Sequence, residues 1–273
     1  MESRLWSIVL AADAERTFSQ GREGGPQQFR RPPGTATLVE RTLVRLAAIC
    51  PADRTVIVLT EAQRQHLGKL AETPKAVRTV FQPQDRGTAV EMLFGLLPVL
   101  TTDPAAVVLV TRSHQAVENA YAFQKSIADA VSYARRWFAV VLFGMEFTSE
   151  RASNEVVIVA QARALLHLCR QRLPAVSSVF VAALTMPFEA RNKYLSTQYP
   201  HLPSRDLAQH VLTAPGGPAH SAWPPAVVWS DHLASPVQAD GSLRTAEARQ
   251  PHRSVTAKRS PSARTAATLL AVD

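Results

Sequence analysis

Cysteine is nearly absent from this chain. Cys50 and Cys169 are the only two, they lie in apolar, helix-like segments, and neither has a CxxC partner or a Cys/His ligand spacing. That argues against a zinc centre or a disulfide framework and for two buried thiols in a reducing compartment. Long apolar runs are lacking too. No stretch reaches the roughly 18 residues of a membrane span, and the N-terminal MESRLWSIVL is too short in apolar residues for a signal peptide. No membrane partner is expected, and the cytoplasm is the default location. No order of Ser, His and Asp or of Cys and His suggests hydrolytic chemistry, and no internal repeat is visible. Trp6, Trp137, Trp223 and Trp229 are too scattered to form a stacking platform for single-stranded nucleic acid.

What is present is enough apolar material for a sizeable core, 46% of 273 residues, and a net charge of +8. The charge is unevenly spread. Residues 244–273 hold six basic residues against two acidic ones, half the net charge, in a stretch rich in Ser, Thr, Ala and Pro that can bury little. The composition therefore divides the chain into a mildly basic domain over 1–243 and a basic, solvated, disordered tail over 244–273, which argues against nucleic acid as the main partner.

The domain is organised around its first apolar run. Ile8, Val9 and Leu10 end in Ala11-Ala12 and then turn polar, the pattern of a buried parallel strand feeding a ligand loop. Thr37 and Glu40 have capping-box spacing, and Val39, Leu43, Leu46 and Ala47 follow at helical intervals. Strands are predicted over 55–60, 77–81, 106–111, 138–144 and 155–160. Helices are predicted over 61–71 with Thr60 as its cap, 89–100, 121–137 and 162–173, the last ended by Pro174. Residues 112–119 read as a loop, 175–214 as helix-like with a break at YPHLPSRD, and 226–234 as a last strand with its loop. Strands alternating with helices through short connections indicate an α/β fold: a Rossmann-like, doubly wound, mostly parallel sheet with helices on both faces.

Several segments recur in a recognisable order: LAAD and PQQF at the first loop, TLVERTLVRL, QPQDRGTA, VVLVTRSH, FGMEFTS, SNEVVIVAQARALLHLCRQRLP and the closing VVWSD. Over roughly residues 5–235 this set resembles the mannose-1-phosphate guanylyltransferases of the bacterial sugar-nucleotide pyrophosphorylase family. The resemblance implies a nucleotide-diphospho-sugar transferase fold. It also implies a reaction that joins GTP and mannose 1-phosphate into GDP-mannose and pyrophosphate, with magnesium as cofactor. Because both substrates are anions, such a site needs cations, a metal and backbone N–H donors.

The implied site residues follow motif by motif. The family's L-A-G-G-x-G-T-R loop falls on Ala11, Ala12 and the residues up to Thr17, which makes Ala11 and Ala12 nucleotide-binding and Arg16 the catalytic cation. Its glycines are absent here, Asp13 and Glu15 stand in the loop, and the later P-K-Q reads Pro26-Gln27-Gln28. Arg22, Arg30 and Arg31 add charge nearby. In QPQDRGTA the nucleotide contacts are Gln82, Arg86, Gly87 and Thr88; an ordinary strand-to-helix turn with Thr88 as N-cap explains the same residues equally well. The family's P-S-D-H metal motif reads Thr111-Arg112-Ser113-His114, so Ser113 stands where a metal-binding Asp is expected. The second carboxylate is retained as Asp231 of WSD, the metal ligand here. On the sugar side Asn154 is retained, within a segment that is shortened near 145–155 and lacks the family's lysine. Asp206 matches a family position near the sugar and is also an ordinary helix-start acid.

Two readings are carried forward. One is a nucleotidyltransferase acting on GTP, or another nucleotide, and a sugar phosphate. The other is a non-catalytic relative that binds a nucleotide or sugar nucleotide and acts through a protein partner, a second copy of the chain included.

Overall fold

The computed structural model describes residues 5–12, 26–29, 36–69, 76–114, 116–117, 119–143, 157–212 and 229–230. In chain order the elements are β1 (Leu5–Leu10), α1 (Leu38–Ala47), β2 (Thr55–Thr60), β3 (Arg78–Gln82), α2 (Thr88–Thr102), β4 (Val107–Arg112), β5 (Ala116–Val117), α3 (Ala120–Trp137), β6 (Val140–Phe143), β7 (Val157–Gln161), α4 (Ala162–Arg172), α5 (Pro174–Leu184), α6 (Phe188–Gln198) and β8 (Trp229–Ser230). Short 3-10 turns join several of them.

Six strands form one sheet in the order β3-β2-β1-β4-β7-β6. Pairing is parallel from β3 through β4, while β7 runs antiparallel to both β4 and β6. The sheet is thus the mostly parallel one the alternation implies, with one reversed strand. Helices cover both faces, as a parallel sheet requires. On one side Ile8, Val58, Val108 and Val110 pack with Leu93 and Leu96 of α2 and with Leu165 and Phe180 of α4 and α5. On the other side Val9, Ile57, Leu59 and Leu109 pack with Leu43 of α1 and Ile127 of α3.

Local chemistry explains most element ends. Thr37 caps α1 through a reciprocal box: the Glu40 N–H donates to Thr37 Oγ1 at 3.2 Å and the Thr37 N–H donates to Glu40 Oε2 at 2.7 Å. Asn119 Oδ1 accepts the Ala122 N–H at 2.9 Å and so starts α3. Leu173 leaves helical geometry and Pro174 opens α5, where its missing N–H costs nothing.

Four expectations are corrected. Residues 61–69 form a 3-10 helix, not an α-helix: Gln63 is its one buried residue from 61 to 66, so it has no apolar stripe to seat. Its contact with Thr60 runs from the Thr60 N–H to Gln63 Oε1 at 2.9 Å. The strand predicted from 138 begins at Val140, because Phe138 adopts φ +52° and turns the chain out of α3. The loop over 112–119 contains β5, whose antiparallel partner is β8, so Trp229 and Ser230 return beside residues 116–117. Cys50 lies just past α1 and not within it.

Both cysteines are free and buried. Burial raises the Cys50 thiol and pushes Cys169 up to about 12, which leaves both inert at neutral pH. Among the described residues no helix is long and apolar enough to cross a membrane. The tail over 244–273 lies outside the described residues.

Gly95 sets how closely α2 approaches the sheet. A Cβ there would lie 2.7 Å from Ile8 Cγ2 and 2.8 Å from Val58 Cγ2, both in the core. Overpacking of this kind costs about 1–3 kcal/mol, against which alanine gains about 1 kcal/mol of helix propensity. Gly95→Ala is therefore expected to lower stability by about 1 kcal/mol in urea denaturation, and a variant as stable as the parent would contradict the close approach.

Candidate functional site

Strand β1 has β2 on one side and β4 on the other, and the chain reaches β4 only after β2 and β3 are in place. Such a reversal of strand order opens a crevice beyond the carboxyl ends of β1 and β4, where α/β sheets take their ligands. Six of the fifteen buried polar residues among the described ones lie toward that end. Gln28, Gln82, Glu91, Thr111, Arg112 and Ser113 are all at most 5% exposed.

Ala11 and Ala12 follow β1 at this end, both buried, and both are held by the protein itself. The Gln28 amide donates to Ala11 O at 2.6 Å, which gives the Pro26-Gln27-Gln28 triplet a defined role. The Ala12 N–H donates to Glu91 Oε1 at 2.8 Å. Glu91 sits in the first turn of α2, fully buried, and desolvation pushes its carboxyl up to about 8 despite the Ala12 hydrogen bond and the nearby Arg112 charge. Asp85 adds a smaller upward push. The shift favours the protonated carboxyl near neutral pH.

The QPQDRGTA loop meets the segment 199–207, residue by residue. Tyr199 donates its hydroxyl to Gln82 Oε1. Arg86 donates to the carbonyl of Pro200, and its own carbonyl accepts the Arg205 N–H at 2.9 Å. Gly87, with φ +81°, is the N-cap of α2, so the expectation that Thr88 is the cap is corrected by one residue. A side chain at Gly87 would strike Arg205 O at 2.5 Å. The Thr88 hydroxyl donates to Asp206 Oδ2 at 2.9 Å and accepts the Leu207 N–H at 2.8 Å. Asp206 Oδ1 also accepts the Gln209 N–H at 2.8 Å, which fits its reading as a helix-start acid. One group in this clasp is left over: Gln82 Nε2 is buried without a hydrogen-bond partner. Turning the amide over would transfer the deficit to Oε1, so one of its atoms lacks a partner either way. Burial also raises the Tyr199 hydroxyl, and Glu91 and Asp85 reinforce the effect.

Ser113 closes the crevice on the β4 side. Its N–H donates to Leu10 O at 2.9 Å and its carbonyl accepts the Thr42 hydroxyl at 3.0 Å. Magnesium asks for anionic oxygen ligands. The described residues do not fit it: position 113 is a serine, Arg112 is a cation next to it in sequence, and the Glu91 carboxyl is buried and bonded to Ala12. No group of three His, Cys, Asp or Glu among the described residues could hold a metal.

The structure thus brings Ala11, Ala12, Gln82, Arg86, Gly87 and Thr88 to one end of the sheet. Arg16, Asn154 and Asp231 lie outside the described residues. Glu91 and Tyr199 are the components that motif reading passes over. A lone acid within the apolar helix AVEMLFGLLPVL was the available signal for Glu91, while Tyr199 had none beyond its place at the YPHLP break.

No protein-family model matches the sequence, and no curated protein matches it. Among solved structures the chain is similar to one described as a mannose-1-phosphate geranyltransferase from Thermus thermophilus, at 22% identity and a TM-score of 0.60, over 76% of this chain and 70% of that one. It is also similar to one described as a mannose-6-phosphate isomerase from Helicobacter pylori, at 17% identity and a TM-score of 0.55, over 76% of this chain and 92% of that one. Likeness at this identity establishes the fold alone, a Rossmann-like α/β fold.

The raised Glu91 carboxyl makes stability depend on pH. Between its ordinary value of 4.5 and about 8 the folded state holds a proton that the unfolded chain releases. Its contribution is therefore most favourable below pH 4.5 and declines as pH rises to about 8, by up to about 1.4 kcal/mol per pH unit. Glu91→Gln keeps an acceptor for the Ala12 N–H and removes the titration. Denaturation curves between pH 5 and 9 are expected to show the variant gaining on the parent by a few kcal/mol toward pH 8, and parallel pH profiles would exclude the buried acid.

Proposed function

We propose that the crevice takes a nucleotide and a sugar phosphate, and that the reaction it is shaped for is the guanylyltransferase one. A phosphate oxygen of mannose 1-phosphate attacks the α-phosphorus of GTP. The new P–O bond yields GDP-mannose, and the bond between the α-phosphorus and its bridging oxygen breaks as pyrophosphate leaves with the electron pair. The observation that carries this reading is the gathering of buried polar groups, Gln82 with its unpartnered amide above all, at the point where strand order reverses. A buried donor without an acceptor costs about 1–3 kcal/mol unless something supplies one. The resemblance in motif order adds the guanine base, mannose 1-phosphate, Arg16 as the catalytic cation and Asn154 on the sugar.

One observation favours the second reading, a non-catalytic binder that acts through a protein partner. The Ala12 N–H, which a phosphate-binding loop would offer to its ligand, is already taken by Glu91, and Ser113 cannot serve as a metal carboxylate. In that case the nucleotide is bound and not turned over.

Thermal unfolding of the full chain with GTP, ATP, GDP-mannose or mannose 1-phosphate separates the possibilities, since a ligand that binds only the folded state raises its stability by about 2.7 kcal/mol at a hundred times Kd. GTP or GDP-mannose is expected to raise Tm by several degrees and ATP to do less. Pyrophosphate release from GTP and mannose 1-phosphate then marks the enzyme, and a shift without release marks the binder. A sharp transition that none of the four compounds moves would sink both.

A further inference from the structure

The ladder between β1 and β2 stops one rung short of the end of β2, and two glutamine side chains stand where that rung belongs. The last backbone bond runs from the Ala11 N–H to Val58 O at 3.1 Å. One step further along the parallel register that pairs Leu10 with Val58, the Thr60 N–H would meet Ala11 O. Instead, Ala11 O accepts the Gln28 amide at 2.6 Å and the Thr60 N–H donates to Gln63 Oε1 at 2.9 Å. The residues beside them touch as well. Phe29 stacks on His66 with ring centroids 5.3 Å apart, and His66 lies one 3-10 turn after Gln63. The two strands therefore part at Ala11, at the end of the sheet where the crevice lies.

Gln63 keeps an unused donor in this gap. It is 3% exposed, and its Nε2 is buried without a hydrogen-bond partner. Unlike Gln82, it cannot be turned over. An Nε2 placed against the Thr60 N–H would set donor against donor, so Oε1 stays on the backbone and the free group is an N–H donor. Thr60 stands beside Gln82 in the β2–β3 register. Among the described residues, Gln63 and Gln82 hold the two carboxamide nitrogens that are buried without a partner, and they belong to adjacent strand ends. A neutral donor of this kind suits a neutral acceptor such as a carbonyl oxygen, whereas phosphate oxygens are best met by cations.

We propose that Gln63 reads the base, its Nε2 donating to the exocyclic oxygen O6 of guanine, and that this contact makes the crevice prefer a 6-oxopurine to a 6-aminopurine. The inference rests on the crevice being a nucleotide site and names the side chain that selects the base. Guanine offers O6 and N7 as acceptors, whereas adenine sets an N6 donor where O6 would be, against the fixed donor of Gln63. Gln82 can present either end of its amide and so does not choose between them. A site built to hydrogen-bond one group rejects the analogue that lacks it, because the site's own donor is then left unpaired.

Isothermal titration of the full chain with GTP, ITP, ATP and the triphosphate of 2-aminopurine riboside tests the contact. ITP keeps O6 and lacks the 2-amino group, while the 2-aminopurine compound keeps the amino group and lacks O6. ITP is expected to bind within about threefold of GTP, and ATP and the 2-aminopurine compound at least about tenfold more weakly. These titrations use the unaltered protein and stand even where a variant fails to fold. Gln63→Glu keeps an acceptor for the Thr60 N–H and replaces the free donor by an acceptor. The ratio of GTP to ATP affinity is therefore expected to fall at least about tenfold, a change that a merely structural role of Gln63 would not produce. GTP binding no tighter than that of the 2-aminopurine compound overturns the inference and leaves the nucleotide reading intact. A GTP to ATP ratio that Gln63→Glu does not move overturns it as well, and is the result expected if the donor holds only a water. If none of the four nucleotides binds, the nucleotide reading falls and the inference with it.

Discussion

Strand β1 has no face that meets water, and the molecule is arranged to satisfy that condition. All six of its residues are buried, as are all six of β2 and of β4 on its two sides. A strand of this kind is stable only with helices on both faces, and the missing side chain of Gly95 lets α2 settle directly onto Ile8 and Val58. The cost appears where the strands end. Backbone and side-chain polar groups at that end leave the apolar layer without reaching solvent, so each needs a partner inside the protein. Glu91, Gln28 and Thr42 meet that need for Ala12, Ala11 and Ser113.

The clasp between the QPQDRGTA loop and residues 199–207 extends the same logic. Gly87 turns the chain into α2 with its backbone against Arg205, and Thr88 sits between Asp206 and the Leu207 N–H. These are contacts more than a hundred residues apart in sequence. They fix the outer rim of the crevice to the C-terminal helices, so that the polar ends of β1, β3 and β4 keep one mutual geometry. A rim built this way is preorganised. It orders few groups on binding and loses little entropy when a ligand arrives.

The sheet was legible because its strands are written in runs such as TVIVLT and AVVLVT, which no amphipathic helix would use. The capping box at Thr37 and Glu40 was equally plain. Less legible was anything decided by tertiary contact. The 3-10 geometry after Thr60 follows from the lack of an apolar face, the start of β6 from the left-handed turn at Phe138, and the pairing of β5 with β8 from a return over more than a hundred residues. In the site, motif spacing singled out Gln82 and Gly87 to Thr88, which the structure places where β3 ends and α2 begins, but of their partners only Asp206 stood out in the sequence, as a helix-start acid, while Tyr199 and Arg205 carry no local signal. Glu91 is instructive in another way. An acid in an apolar helix reads as an exception to amphipathic pattern, and only the fold shows that it faces the Ala12 N–H.

Charge at the crevice can be balanced in two ways. In the pattern the motifs resemble, two carboxylates and one divalent cation sum to zero before phosphate arrives. Here a neutral serine, Ser113, stands at one of the two carboxylate positions, with the cation Arg112 next to it in sequence. The short-range consequences differ. A metal draws reacting oxygens into fixed coordination and withdraws electron density from the bond that breaks, whereas a guanidinium donates hydrogen bonds and leaves that bond as polarised as its own donors can make it. Substituting one for the other conserves affinity better than it conserves rate. On the proposed reading, a serine at position 113 therefore weighs toward binding over turnover.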